Sequence, residues 1–172
     1  MARVRPHHAA IAAAVLTVAA LAGHVVAASL PAHCAVNGAL PDVGCTPGAL
    51  NLKVTQATIK TTICVQGYTK TIRPPVSYTN PLKTRLMKAY GERGPASAYE
   101  LDHLISLELG GNPTSAQNLW PEPYAPTPGA HEKDKVENYL HHQVCSGAIT
   151  LAAAQARIEG DWTLVWNAIK PP

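Results

Sequence analysis

The chain of 172 residues contains no phenylalanine, three tryptophans and two methionines. Its core must therefore rest on Leu, Ile and Val with a few rings, and a domain of this size buries only a modest one. No C-x-x-C or C-x-x-H pair occurs, which argues against a zinc site of closely spaced ligands. No internal repeat is present, and no low-complexity tract follows the first fifty residues.

What is present begins with an export signature. Arg3 and Arg5 form a basic head, residues 9 to 22 are an apolar run, and Val26-Ala27-Ala28 offers small residues for cleavage. This predicts a signal peptide over residues 1–28 and a secreted product. The rival reading is an N-terminal membrane anchor, since residues 9–28 could span a bilayer despite Gly23 and His24. Residues 29–50, rich in Pro, Gly and Ala, read as an extended leader, and residues 51–172 as one domain.

Without Arg3 and Arg5 the chain carries 12 basic and 11 acidic residues, yet the two signs are separated. Between Lys53 and Arg93 lie eight basic residues and one acid, Glu92. Between Glu100 and Glu137 lie seven acids against Lys133 and Lys135. A basic flank beside an acidic cluster suits a phosphodiester substrate with a metal ion, although a merely solvated surface has the same composition. All four cysteines (Cys34, Cys45, Cys64 and Cys145) follow the export signal. An even count in an exported chain implies two disulfides, with three possible pairings.

Residues 54–64 suit a short helix or a strand. Asn80-Pro81 reads as a helix start and Gly91 as its stop, with Leu82, Leu86 and Ala89 inward. Residues 99–109 alternate as a half-buried strand, residues 118–120 form a second one, and the prolines from 121 to 128 form a connector. A helix is expected over residues 130–144 with Val136, Leu140 and Val144 inward. Another follows the Thr150 cap and runs to about Ile169.

The chemistry concentrates in YELDHLISLELGGNPTSAQNLWPEP. Asp102 and His103 are adjacent, Gly110-Gly111 begins seven residues after the histidine, and Asn118 lies fifteen after it. An adjacent carboxylate and imidazole can divide two tasks, one holding a metal ion and the other taking a proton from water. This wording resembles the HNH nucleases, and most of all a group of small exported HNH-like proteins, with the similarity running from Cys45 to Trp166. The resemblance implies an α+β fold with a ββα-metal core and flanking helices. It also implies metal-dependent hydrolysis of DNA or RNA, with Mg²⁺ or Mn²⁺ as the ion.

In that reading His103 is the general base, Asp102 a metal ligand, and Asn118 the residue that holds the loop and orients the histidine. The third family position departs from the common pattern, because the Pro-rich connector delays the helix. The A-x-x-K-D-x-x-E wording shared with the exported relatives points to Asp134 and Glu137 as further metal ligands. Lys83, Arg85 and Lys133 are candidates for substrate phosphate. Ser106 stands where the family commonly has proline, a change expected to loosen the strand without touching the chemistry. Family matches around Thr62-Ile63-Cys64 and Val144-Cys145-Ser146-Gly147 imply a Cys64–Cys145 bridge, leaving Cys34–Cys45. The alternative function is an inactive HNH scaffold that binds nucleic acid or the cell envelope.

Overall fold

In a computed structural model, residues 33–171 are described. The expected signal peptide lies outside them. The fold is α+β: four helices and a two-stranded antiparallel sheet, cross-linked by two disulfides. In chain order these are α1 (Tyr68–Ile72), α2 (Val76–Ala89), β1 (Tyr99–His103), β2 (Leu119–Pro123), α3 (Ala130–Ser146) and α4 (Leu151–Ile169), with short 3-10 turns before α1, between α2 and β1, and twice between the strands.

The main core lies where α3 and α4 pack on each other. Val136, Leu140 and Val144 of α3 meet Leu151, Ala154, Ile158 and Trp162 of α4, with Ile105 and Leu109 closing the cluster. Thr150 caps α4 by accepting a hydrogen bond from the Ala153 amide. The helix is broken at Asp161, whose backbone leaves helical geometry and whose side chain accepts from the Thr163 amide at 3.0 Å, restarting the helix. Trp162 is fully buried, and its indole N–H reaches the Ala39 carbonyl, tying the leader to this core. Residues 54–64 form turns and one 3-10 segment (Ile59–Thr61), neither a regular helix nor a strand.

Three boundaries differ from the sequence expectation. Helix α2 begins at Val76, after Pro75, and contains Pro81 in its second turn. That ring removes the amide that would bond the Ser77 carbonyl, but both residues are exposed and water can take the bond. Strand β1 ends at His103, and Leu107–Leu109 is a 3-10 turn opened by Ser106, whose hydroxyl accepts from the Glu108 amide. Strand β2 continues through Pro121 and Pro123, which were expected in a connector. They pair with Leu101 and Tyr99, whereas the alternate positions carry bonds such as Leu104 N–H to the Asn118 carbonyl and Tyr124 N–H to Ala98. Both proline nitrogens thus fall at non-hydrogen-bonded sites of a two-stranded ribbon, where no ladder bond is lost.

The leader is stitched to the loop between the strands. Gly48 N–H bonds the Gln117 carbonyl, Asn51 N–H bonds Gly110, and Asn112 N–H bonds Ala49. Cys34–Cys45 closes the leader on itself next to Tyr90 and Trp120. Cys64–Cys145 joins the turn after residue 61 to the last turn of α3 across 81 residues.

Candidate active site

Strand β1 delivers Glu100 and Asp102 to one face, and β2 places Glu122 opposite Glu100 in register. Because β1 ends at His103, the adjacent Asp102 and His103 need not diverge as strand neighbours usually do. Together with Arg73, Ser106, Leu107, Asp134 and Glu137 they line a small polar cavity of about 40 Å³. Asp134 and Glu137 come from the first half of α3.

The loop that follows is held by Asn118, which is fully buried. Its Oδ1 accepts from the Ile105 amide at 2.9 Å, and its Nδ2 donates to the carbonyls of Ile105 (3.0 Å) and Asn112 (3.1 Å). Gly111 is required by proximity: a Cβ there would lie 1.7 Å from the Ile105 carbonyl oxygen and 2.8 Å from Asn118 Nδ2. Gly110 is required by conformation, with φ of +80°. The G-G pair thus lets the loop fold back onto the segment after His103.

That return sets the histidine. His103 Nε2 lies 3.0 Å from the Pro113 carbonyl oxygen. A carbonyl only accepts, so Nε2 carries the proton and Nδ1 of the neutral ring keeps its lone pair. Burial lowers the His103 pKa below the usual histidine value, and the nearby Arg73 and Lys133 charges act in the same direction. The Pro113 bond and the Asp102 charge oppose this shift. The ring is therefore neutral at pH 7.

Lys133, expected at a substrate phosphate, is instead 1 % exposed in the middle of the carboxylates. Its ammonium donates to the His103 carbonyl at 2.9 Å and to Glu137 Oε1 at 2.5 Å. It also stands 2.7 Å from Asp102 Oδ2 as an ion pair. Asp102 Oδ2 is buried, and the Lys133 ammonium is the charge that compensates it. Burial acts to lower the Lys133 pKa, but the Asp102 and Glu137 charges outweigh it and hold the ammonium charged. Burial pushes Glu137 up to about 7, against the pull of Lys133. Its Oε2 accepts from the Ser106 hydroxyl at 2.8 Å, so both Glu137 oxygens are engaged. Ser106 therefore reaches the site through Glu137 and lines the same cavity.

Two further residues escaped the sequence reading. Glu122 is fully buried and neither of its oxygens meets a hydrogen-bond donor. Burial, then the Asp102 charge, raise its pKa well above the carboxylate range, and as the neutral acid it can donate to Asp102. Only its alternation with Trp120 along a strand could have revealed it, and Pro121 and Pro123 concealed that strand. Arg73 supplies the guanidinium at the cavity. Lys83 is instead tied to the carbonyls of Ala96 and Tyr99, and Arg85 is exposed on α2; neither lines the cavity.

The donors suit a hard cation. Glu100 and Asp134 have raised pKa values, first from burial and then from the Asp102 charge, so a cation at the cavity would relieve both. Among the described residues, no three of these carboxylates bring one oxygen each within 4.8 Å of one another. The set is open, as fits Mg²⁺, which keeps several waters and takes one or two carboxylates. The cluster that does converge that closely, Cys64, His141 and Cys145, has both sulfurs in the disulfide. His141 instead bonds the Ile63 carbonyl, and His131 stacks on Tyr124.

Among the described residues no helix is long and apolar enough to cross a membrane. Compared with protein-family models, curated proteins and solved structures, the chain matches none of them.

Proposed function

We propose that this protein is an exported, metal-dependent nuclease of the HNH type, with β1, β2 and α3 as its ββα-metal core. The observation that carries the reading is the state of His103. Its Nε2–H is committed to Pro113, so Nδ1 is the basic atom, beside Asp102 at a carboxylate-lined cavity. Two disulfides favour an oxidising compartment and hence export.

Asp102 would hold Mg²⁺ or Mn²⁺, with Asp134 at the same cavity. The ion, when bound, offsets negative charge on the phosphate and on the departing oxygen. His103 Nδ1 takes a proton from water as the water oxygen attacks phosphorus, and the P–O3′ bond breaks with the 3′ oxygen leaving. Asn118 keeps the loop that carries the Pro113 carbonyl in place. Arg73 faces the phosphate, and the exposed Lys53, Lys70, Arg85, Lys88 and Arg93 provide the wider cationic surface.

The test is cleavage of plasmid and of RNA by the oxidised chain lacking residues 1–28, with Mg²⁺ or Mn²⁺ and with EDTA. Cleavage that requires the metal supports the reading. A folded protein that cuts neither nucleic acid removes it.

A second reading, an inactive HNH scaffold that binds nucleic acid, is favoured by Lys133, which already neutralises Asp102 and Glu137. Salt-dependent DNA binding without cleavage would select it.

A further inference from the structure

Lys133 is fully buried and enclosed by acids: Asp102 from β1, Glu122 from β2 and Glu137 one turn further along α3. Removing a lysine from water is costly, and a buried lysine is ordinarily neutral unless its surroundings are built around the charge. Here they are. Its ammonium contacts a side-chain oxygen of Asp102, a side-chain oxygen of Glu137 and the main-chain carbonyl of His103. An ammonium so surrounded by hard oxygens occupies the kind of site that a divalent cation would otherwise take.

Glu137 lines the same cavity as Glu100, Asp102, Asp134 and Arg73, but both of its oxygens are already engaged, one by Lys133 and the other by the Ser106 hydroxyl. The same ammonium grips the carbonyl of His103, so one side chain from α3 anchors both members of the Asp-His pair to that helix.

We propose that Lys133 is a built-in cation and positioning residue, holding Asp102 and the His103 backbone and occupying Glu137, so that only one metal ion binds, with Asp134 and not Glu137 among its ligands. This rests on the nuclease reading for the role of the ion, but it concerns how the chain binds metal and can be tested without catalysis. It removes Glu137 from the ligand set expected from sequence and assigns it to holding Lys133. A lysine fixed in this way cannot dissociate, so a positive charge is present in the site before any metal arrives.

The experiment is Mn²⁺ binding by the oxidised chain, followed by calorimetry and by the loss of the free-ion EPR signal, in the unaltered protein and in Glu137→Gln, Asp134→Asn and Lys133→Ala. The amide in Glu137→Gln can still accept from Lys133. Its Mn²⁺ affinity should stay within about threefold of the unaltered protein, whereas Asp134→Asn should lose about tenfold or more. Lys133→Ala should bind a second ion between Asp102 and Glu137 and gain thermal stability from added Mn²⁺ beyond that of the unaltered chain.

A tenfold loss in Glu137→Gln would make Glu137 a ligand and overturn the proposal. So would a folded Lys133→Ala that still binds a single ion with unchanged affinity. If Lys133→Ala does not fold, the contrast between Glu137→Gln and Asp134→Asn decides alone. Absence of Mn²⁺ binding by the unaltered protein is a different result, and it overturns the metal-dependent nuclease reading along with this one.

Discussion

Replacing Asn118 with alanine removes a fully buried side chain with bonds to Ile105 N–H, the Ile105 carbonyl and the Asn112 carbonyl, all between 2.9 and 3.1 Å. A fourth contact, from the Ala49 amide, is long at 3.4 Å and adds little. Each buried group left without a partner costs roughly 1–3 kcal/mol, and water entering the vacated space recovers part of that, so the expected loss is about 3–5 kcal/mol. At a slope of about 2 kcal/mol per molar urea, the unfolding midpoint falls by about 2 M.

The change should also be local before it is global. The Ile105 amide loses its acceptor, so its hydrogen-exchange protection should drop further than that of Leu140 or Ile158 in the helical core. Asn118→Asp should do comparable harm, because it keeps the bond from Ile105 N–H but turns oxygens toward the two carbonyls that Nδ2 now serves. A loss below about 1 kcal/mol with unchanged Ile105 exchange would refute the assignment of Asn118 as the clamp of the loop.

Other consequences follow from the same geometry. Breaking Cys64–Cys145 with a double Cys→Ala change frees a loop of 81 residues and should cost about 4 kcal/mol by loop-closure entropy, read as a urea midpoint difference. Gly111→Ala should prevent folding, since its Cβ meets a backbone oxygen. Gly160→Ala, with nothing within 4 Å and no left-handed φ, should be neutral or stabilising by up to about 1 kcal/mol; equal effects at both positions would contradict the packing described here.

Glu122 makes a pH prediction. Its folded pKa is raised, so its neutral form favours folding: that contribution is full below the ordinary carboxylate pKa and is lost as pH rises through the folded value. Glu122→Gln, which mimics the neutral acid, should therefore gain in melting temperature over the unaltered protein between pH 5 and pH 8. A difference independent of pH would show that Glu122 is ionised throughout.

Much of the helical frame was legible because its signals are local. Thr150 caps α4, and Val136, Leu140 and Val144 repeat on one face of α3. The candidate pair could be singled out because Asp102-His103, Gly110-Gly111 and Asn118 keep a distinctive spacing. What escaped depends on tertiary context. Pro121 and Pro123 normally end a strand, and only the hydrogen-bonding phase of β2 shows that their missing amides cost nothing. Pro81 looked like a first helical residue because nothing local reveals that its turn faces water. Lys133 belongs to the residue type least often buried, and its burial makes sense only once Asp102, Glu122 and Glu137 are seen around it. Glu122 was hidden by the prolines that flank it.

The central claim is that His103 acts as the base at a metal-dependent phosphodiesterase site. Its most direct test is the rate of plasmid and RNA cleavage in Mg²⁺ or Mn²⁺ by His103→Ala beside the unaltered protein, with both shown to be folded by their melting curves. The account predicts a fall of about 10²-fold or more with the fold retained. Cleavage by His103→Ala at an undiminished rate would contradict it.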